Sequence, residues 1–489
     1  MPDRRLTLIA AAAAVALLAG CAVGPDHRAP TPSLDARFAQ PGVDRAAGAA
    51  GASAGAEVRP VGADIARFWR GFNDPALTAL VERALDASPD VRLAQARLQE
   101  ARAGLDEADA AGRPGVGITG SAERAVQPLT QRPGTTRAER TANAYDASFV
   151  ARWEIDLFGG LRRASEAASA RLAASEAGVA AAHTAVAAEV ARQYLALRGL
   201  QARLAVTREA LERQREAARL TAARTDAGRS SALDLARARA LVAATEAAVP
   251  ALQTALERTA LRLGTLTAQP PRAVLALAGE AAPLPALPVT DLATLPVGTP
   301  QDWLRRRPDL IVAERELAAA TADIGVAQAA LYPRLSLSGL LGFNAPRAGD
   351  LFDSAAGRYA LGAAISWTPF DGGALRARVR ASEARAAQAL VRFDQTLALA
   401  LEETEGAFSA YSRQTERATR LDEASRQAGE AARLARLRFE AGVTDFLAVL
   451  DAEREALGQR DAQVQAQVEA GVALVSVYQA LGGGWEAPR

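Results

Sequence analysis

Residues 390–411 read LVRFDQTLALALEETEGAFSAY and predict a long helix with one mostly apolar stripe along it. Seven side chains in this stretch are spaced 3, 4, 4, 3, 4 and 3 residues apart, the pattern of a coiled coil: Leu390, Phe393, Leu397, Leu401, Thr404, Phe408 and Tyr411. The surrounding run from Ala374 to Glu440 has no proline and predicts one helix of about 66 residues, about 100 Å long. A second proline-free run, from Leu161 to Asp226, predicts a matching helix. No compact domain needs helices of this length.

The composition favours long helices and excludes several classes of function. Apolar residues make up 49% and aromatic residues 5% of the chain, with abundant Ala, Leu, Arg and Glu. The 57 basic and 56 acidic residues give a net charge of +1, so no excess field attracts nucleic acid. The absence of lysine excludes Schiff bases and phosphate-binding loops that need an amine.

The chain repeats one plan twice. Two motifs return after 219 residues: Ser88-Pro89-Asp90 as Arg307-Pro308-Asp309, and Arg113-Pro114 as Tyr332-Pro333. Three more return after 214 residues: Trp153 as Trp367, Tyr194 as Phe408, and Asp226-Ala227-Gly228 as Glu440-Ala441-Gly442. The offset changes between Gly120 and Trp153 in the first half, and between Gly339 and Trp367 in the second. Because insertions concentrate in exposed loops, this interval predicts a surface loop.

The N-terminus has the pattern of a secretory signal. Arg4 and Arg5 precede an apolar run, 6–18, that is too short to span a bilayer. This region ends in Leu18-Ala19-Gly20-Cys21. The four residues resemble the bacterial lipobox, a motif whose cysteine is acylated. Ala22 follows instead of an aspartate, and the resemblance therefore implies the outer membrane. The alternative is an ordinary signal peptide with a cysteine beside its cleavage site.

Four segments are predicted from these features. They are a signal peptide at 1–20, a lipidated segment and linker at 21–62, a first repeat at 63–285 and a second repeat at 286–489. The linker is rich in Pro, Gly and Ala, which is typical of extended chain.

Each half also predicts a β-hairpin. Apolar and polar side chains alternate after Tyr145, along 335–344 and along 359–367, and a weaker strand covers 116–122. Strands of roughly ten residues suit a tilted crossing of the membrane. Trp153 and Trp367 near the strand ends predict an aromatic girdle at the membrane interface, although a buried tryptophan in a soluble sheet is the alternative.

The strand count predicts an oligomer. A membrane-spanning sheet must close, because an open edge leaves backbone groups unpaired in lipid. Four strands cannot close, so two or more chains must combine their hairpins, giving about 8 strands in a dimer or 12 in a trimer.

Signals for cofactor, metal and catalytic sites are weak. The run Gly115–Gly120 fits a dinucleotide fingerprint, but a helix precedes it and a strand contains it, the reverse of the required order. His27 and His183 are too isolated for a metal site or a catalytic triad. We therefore expect no enzyme activity, no cofactor and no metal, and we expect the arginines at 305–307 to contact carboxylates.

The order of elements resembles the TolC superfamily, and the motifs resemble its OprM/NodT-like branch, the outer-membrane factors of RND-type efflux pumps. The motifs that carry this resemblance are Val23-Gly24-Pro25-Asp26, Phe68-Trp69, Asp74-Pro75-Ala76-Leu77, Arg306-Arg307-Pro308-Asp309, Ala313-Glu314-Arg315-Glu316-Leu317, Ile324-Gly325-Val326-Ala327 and Tyr478-Gln479-Ala480-Leu481-Gly482-Gly483-Gly484-Trp485.

The resemblance implies a mainly α fold with a transmembrane β-barrel. The family assembly is a homotrimer, with a 12-stranded barrel on a tunnel of coiled-coil helices that extends into the periplasm. The implied function is passive export of drugs or other small toxic compounds, in partnership with a periplasmic adaptor and an inner-membrane pump. Nucleic acid is not an expected partner.

The resemblance also assigns roles to the two turns after the long helices. These turns would be the periplasmic tips that dock onto the adaptor, through Gly228, Ser231, Gly442 and Thr444. The alternative is that the glycines only terminate the helices.

The resemblance also implies a gate just past the second turn, where residues 447–452 resemble the segment that forms the closed constriction in the family. Leu447 and Asp451 are four residues apart and share a helix face, so three copies would form an apolar and an acidic ring. Asp234 and Arg438 are the candidate ion pair that holds the gate shut. The alternative is that all four are solvated charges and a core leucine.

Two other functions remain open from the sequence. The same fold could serve as a duct for type I protein secretion. A lipid-anchored periplasmic scaffold or adaptor would explain the helices and Cys21, but it would not explain four alternating strands.

Removal of the lipid anchor separates the duct from the scaffold. We expect a Cys21→Ser variant to stay in the membrane fraction and to keep a heat-modified gel shift, because the strands hold it in the bilayer. Fractionation followed by unboiled electrophoresis makes the measurement. Complete solubility would favour the scaffold.

Overall fold

The computed structural model describes residues 22–35, 37–39, 63–289, 292 and 299–485, so the predicted lipidation site Cys21 lies outside the described residues. Contacts divide the chain into two compact units. The strand unit takes its described residues from 22–31, Leu98–Ser175 and Val312–Asp394, and the helical unit takes the remainder. Each unit therefore contains parts of both sequence repeats.

The described elements alternate in the same order in both halves. The helices are α1 (Ala63–Ala66), α2 (Pro75–Ala87), α3 (Pro89–Ala111), α4 (Gly160–Asp226), α5 (Ala232–Leu266), α6 (Pro271–Gly279), α7 (Pro300–Leu304), α8 (Pro308–Ala329), α9 (Ala374–Glu440) and α10 (Phe446–Ala480). The strands are β1 (Gly115–Val126), β2 (Thr141–Ile155), β3 (Arg334–Ala345) and β4 (Gly357–Ser366). Short 3₁₀ turns cover Phe68–Phe72, Ala348–Asp350 and Ser354–Ala356.

Elements of equal length recur in the two halves of the chain. Helices α4 and α9 have 67 residues each, and α5 and α10 have 35 residues each. All four begin and end at the 214-residue offset, whereas β1 and β3 keep the 219-residue offset. The change of offset falls in the loops 127–140 and 346–356, which are mostly exposed. The predicted surface loop is therefore the connection inside each hairpin.

The two hairpins form one antiparallel sheet with the order β1-β2-β3-β4. Strands β2 and β3 pair from Tyr145 opposite Ala345 to Ile155 opposite Leu335, and this pairing joins the two sequence repeats. Strand β1 pairs only with β2 and β4 only with β3, so β1 and β4 are the sheet edges within the described chain.

One predicted helix is broken. The sequence predicts a continuous helix from about Pro75 to Ala111, but the structure divides it into α2 and α3. Proline at 89 has no backbone N–H, and the residue before it, Ser88, has an extended ψ of 135°. The Asp74 carboxylate caps α2 by accepting from the N–H groups of Ala76 at 2.9 Å and Leu77 at 3.0 Å.

The helical unit has an aromatic core. Phe408 and Tyr411 of the predicted stripe are fully buried, whereas Leu390 remains 42% exposed. Tyr194 donates to the Asp74 carboxylate at 2.7 Å. Burial raises the pKa of Tyr194 to about 12, so this hydroxyl stays a donor throughout the physiological range. No helix among the described residues is both long and apolar enough to cross a membrane.

Arg307 ties together the ends of several elements in the helical unit. Its side chain is 7% exposed and pairs with Asp309 at 2.6 Å and Glu403 at 2.7 Å. It also donates to the Ala480 carbonyl at 3.2 Å, near the end of α10. For Arg307, the prediction that this arginine run contacts carboxylates is confirmed.

Removing this guanidinium should destabilise the helical unit. We expect Arg307→Ala to lower the free energy of unfolding by about 2–3 kcal/mol, because it removes a buried guanidinium that binds two carboxylates and a helix-end carbonyl. Denaturant titration followed by helical circular dichroism measures the change. The exposed neighbour Arg305 supplies the control variant, Arg305→Ala, and equal effects from both would contradict this role for Arg307.

Candidate functional site

The sheet has one apolar face and one polar face. Its register aligns Ile118, Phe149, Leu341 and Tyr359 in one row across all four strands. Because side chains alternate along a strand, the adjacent row points to the opposite face. That row contains Thr119, Ser148, Gly342 and Arg358.

The apolar face is uncovered within the described chain. Leu361 is 86% exposed, Tyr359 81% and Ile118 76%. The same face also carries Val116, Phe149, Trp153, Leu335, Leu337, Leu341, Phe343 and Ile365. Exposed apolar patches of this kind mark contact with a membrane or with another protein.

The two tryptophans are anchored in the same way in both repeats. The Nε1 of Trp153 donates to the Gly112 carbonyl at 3.1 Å, and that of Trp367 donates to the Leu331 carbonyl at 3.0 Å. Each carbonyl lies just beyond the helix that leads into the preceding strand. Both rings are partly exposed, so their polar ends are held while their apolar surfaces remain accessible.

The long helices end in two equivalent turns. Gly228 and Gly442 adopt left-handed conformations with φ of 69° and 71°. After each glycine the next N–H returns to the carbonyl of Arg224 at 2.7 Å or Arg438 at 2.9 Å. These are Schellman motifs, which satisfy the last carbonyls of a helix and need a residue tolerant of positive φ.

The returning helices begin with side-chain caps. Ser231 and Asp234 form a capping box, in which Ser231 Oγ accepts from the Asp234 N–H at 3.1 Å and the Asp234 carboxylate accepts from the Ser231 N–H at 3.2 Å. Bonds from the Ser231 hydroxyl, assisted by Ser230, hold the pKa of Asp234 below its ordinary value. In the second repeat the Asp445 carboxylate takes this role and accepts from the Ala448 N–H at 3.2 Å.

Arg224 brings the two turns together. Its guanidinium lies 4.2 Å from the ring centre of Phe439 and donates to the carbonyls of Phe439 at 3.1 Å and Glu440 at 3.2 Å. Phe439 packs edge-on against Phe446 in a small cluster with Ala238, Val449 and Leu450. The first repeat therefore caps the C-terminus of the second repeat's long helix.

The predicted ion pair between Asp234 and Arg438 is not formed within the described chain. The Asp234 carboxylate is used to cap its own helix, and Arg438 is exposed. The ion pair near the second turn is instead Arg436 with Glu453, which is 7% exposed. Sequence reasoning missed this pair and Arg224. It also did not use the spacing of Ser231 and Asp234, which is that of a capping box.

The candidate gate residues project away from the cluster between the turns. Leu447 is 40% exposed and Asp451 is also exposed, whereas Val449 and Leu450 between them are buried. Leu447 and Asp451 therefore share an accessible face of α10. Among the described residues no group of three or more metal-ligating side chains is present.

Comparison with known proteins identifies the fold. The profile of outer membrane efflux proteins matches residues 80–269 and 299–483, one segment in each half of the chain. The chain belongs to this family. It is therefore an efflux channel protein of the outer membrane and not an enzyme, and the prediction of a mainly helical fold with four antiparallel strands is confirmed.

Relatives match the efflux channel protein over most of its length. Outer membrane protein OprJ of Pseudomonas aeruginosa is 32% identical over 480 residues, covering 96% of this chain and 95% of the relative. The pyoverdine export outer membrane protein OpmQ of the same organism is 32% identical over 431 residues, covering 87% and 89%. The solved outer-membrane channel OprN has a TM-score of 0.84 at 40% identity, covering 96% of this chain and 100% of that chain.

Adjacent leucines test which face of the sheet meets lipid. We expect Leu341→Arg to prevent membrane assembly, because an arginine that faces hydrocarbon costs up to about 2–4 kcal/mol, depending on its depth in the bilayer. Leu340→Arg on the opposite face of β3 is the matched control and should assemble. Heat-modified electrophoresis of membrane fractions measures assembly. Normal assembly of the Leu341 variant would show that this face does not contact lipid.

Proposed function

We propose that three copies of this chain form a lipid-anchored exit duct for small molecules. In each copy, the sheet would supply four strands of a 12-stranded barrel, and the long helices would form the periplasmic tunnel. The observation that carries this proposal is the two-faced sheet with open edges at β1 and β4. Closing those edges with further copies would pair every strand and turn the apolar face toward lipid.

The segment after Cys21 supports the proposed anchor. The Val23 N–H donates to the Phe158 carbonyl at 3.1 Å, and Arg163 binds the Asp26 carboxylate at 2.7 Å. His27 lies 2.7 Å from the Glu314 carboxylate. These contacts hold residues 23–27 against the strand unit, so acyl chains on Cys21 would start close to the sheet that we assign to the membrane.

We further propose that Leu447 and Asp451 form the periplasmic gate. Three copies would present stacked apolar and acidic rings, which narrow the pore and attract cations. The buried core under this face is the Phe439–Phe446 cluster, which holds the start of α10 against the end of α9. Opening would be driven by partners.

The internal repeat suggests how Arg438 would act. Arg224 and Arg438 occupy equivalent positions at the 214-residue offset, and Arg224 caps α9 through the carbonyls of Phe439 and Glu440. The equivalent carbonyls at the end of α4 belong to Thr225 and Asp226. Arg438 would therefore cap α4 of the neighbouring protomer and clamp the closed tips, while Asp234 stabilises the turn itself.

The turns are the proposed docking points for a periplasmic adaptor, through Gly228, Ser231, Gly442 and Thr444. Their rigid Schellman geometry supports a shared shape in both repeats. An inner-membrane pump of the RND type would supply substrate and energy. Drugs or other small toxic compounds are the proposed cargo, and the export of pyoverdine named for OpmQ supports a small molecule.

Export from cells tests the proposed function. Deleting the gene should raise the intracellular accumulation of a fluorescent pump substrate, and the intact gene should restore efflux. The Leu341→Arg variant is the matched negative control. Unchanged accumulation after deletion, in cells whose other efflux channels have been removed, would contradict the proposal.

Planar-bilayer recording tests the gate. We expect Leu447→Ala combined with Asp451→Ala to raise single-channel conductance, because it removes both rings from the constriction. The equivalent residues of the first repeat, Leu233 and Arg237, supply the control variant Leu233→Ala with Arg237→Ala. An unchanged closed state in the gate variant would contradict the gate assignment.

A further inference from the structure

A charged network lies on the polar face of the sheet, close to the hairpin loops. Arg358 Nη2 makes a close hydrogen bond to Asp146 Oδ2 and donates to Ser148 Oγ at 3.4 Å. Ser148 Oγ donates to Asp146 Oδ1 at 2.9 Å, and Asn344 Nδ2 donates to Asp146 Oδ2 at 3.5 Å. The Asp146 side chain is 15% exposed and that of Arg358 is 43% exposed. The network therefore neutralises one charge of each sign while leaving the guanidinium accessible.

Glycine at position 342 allows Arg358 to reach across a strand. Arg358 is on β4 and Asp146 is on β2, with β3 between them. Ser148, Gly342 and Arg358 lie in one row of the sheet. A Cβ at Gly342 would come within 2.4 Å of Ser148 Oγ, so a side chain there would displace the hydroxyl and cover the crossing. The position of the network is thus built into the sheet.

The network is separated from the other charges of this face. Between it and Arg152, the polar face carries Val150, Leu340 and Ala360. Toward the loops, the nearest charge on this face is Glu123 of β1. Arg124, its chain neighbour, points to the apolar face and therefore cannot join the network.

We propose that Asp146 and Arg358 determine the charge selectivity of the channel at its outer end. This inference rests on the proposed trimer, in which the polar face lines the lumen and three copies of the pair form a ring. Rings of charged side chains set the ion selectivity of pores. Because each aspartate is matched by an arginine, the native ring selects weakly between anions and cations. Loss of either partner leaves three charges of one sign.

Reversal potentials across planar bilayers under a KCl gradient test this role. Arg358→Gln should raise the K⁺/Cl⁻ permeability ratio and Asp146→Asn should lower it, each by about twofold or more. The effect should grow at low salt, since the Debye length is about 10 Å at 0.1 M and about 30 Å at 0.01 M. The permeability ratio of the double variant should be close to the native value, and Arg358→Lys should leave the ratio unchanged. A merely structural pair would not shift the ratio in opposite directions.

Controls separate this inference from the proposed function. Arg124→Gln removes a charge near the loops on the apolar face and should leave the ratio unchanged. Recording in both the native and the Leu447→Ala, Asp451→Ala backgrounds prevents the periplasmic constriction from dominating the ratio. If the native trimer conducts but both single variants keep its K⁺/Cl⁻ permeability ratio, the role of Asp146 and Arg358 is overturned. The proposed channel function is then not contradicted. If neither the native trimer nor the Leu447→Ala, Asp451→Ala variant conducts, the proposed function fails first.

Discussion

The proposed assembly follows from the unpaired edges of the sheet. Within the described chain, β1 and β4 each pair on one side only, while one face of the same sheet exposes Ile118, Tyr359 and Leu361. Water can hydrogen-bond to the backbone groups of these edges, but in hydrocarbon the same groups would have no partner, which is costly. One chain cannot remove this cost, because four strands are too few to close. Further copies can, and the resulting cylinder would place the polar row with Ser148 and Arg358 inside.

The two repeats give the chain two equivalent turns, and the residues around those turns differ. Helices of equal length start and end at the same offset in both repeats, so their C-terminal Schellman turns come to equivalent positions. Arg224 already caps the other repeat inside the chain, whereas its counterpart Arg438 remains exposed. The second repeat has the acidic residue Asp451 where the first repeat has Arg237. The contacts of Arg224 are formed within the chain, whereas we propose that Arg438 contacts a neighbouring chain.

Local signals predicted most of the elements, and long-range contacts account for most of what they missed. Proline-free runs and alternating strands identified the helices and hairpins, because both patterns are complete within a short stretch. Pairing of β2 with β3 leaves no local signal, since it joins residues about 190 apart. The pair of Asp234 with Arg438 is not formed within the described chain, where the Asp234 carboxylate accepts from Ser231, and its formation between chains stays a prediction. Arg224 was missed because its target belongs to the other repeat.

Disulfide scanning between the sheet edges directly tests whether β1 of one chain pairs with β4 of another. Cysteines would be placed singly at Gly117, Thr119 or Ser121 on the polar face of β1, each combined with a cysteine at Ala360 on the same face of β4. The only native cysteine is Cys21. A closed trimeric barrel predicts that one of these combinations gives a cross-linked ladder ending at three chains. Monomers alone at all three positions, in membranes where the protein is assembled, would contradict closure through β1 and β4.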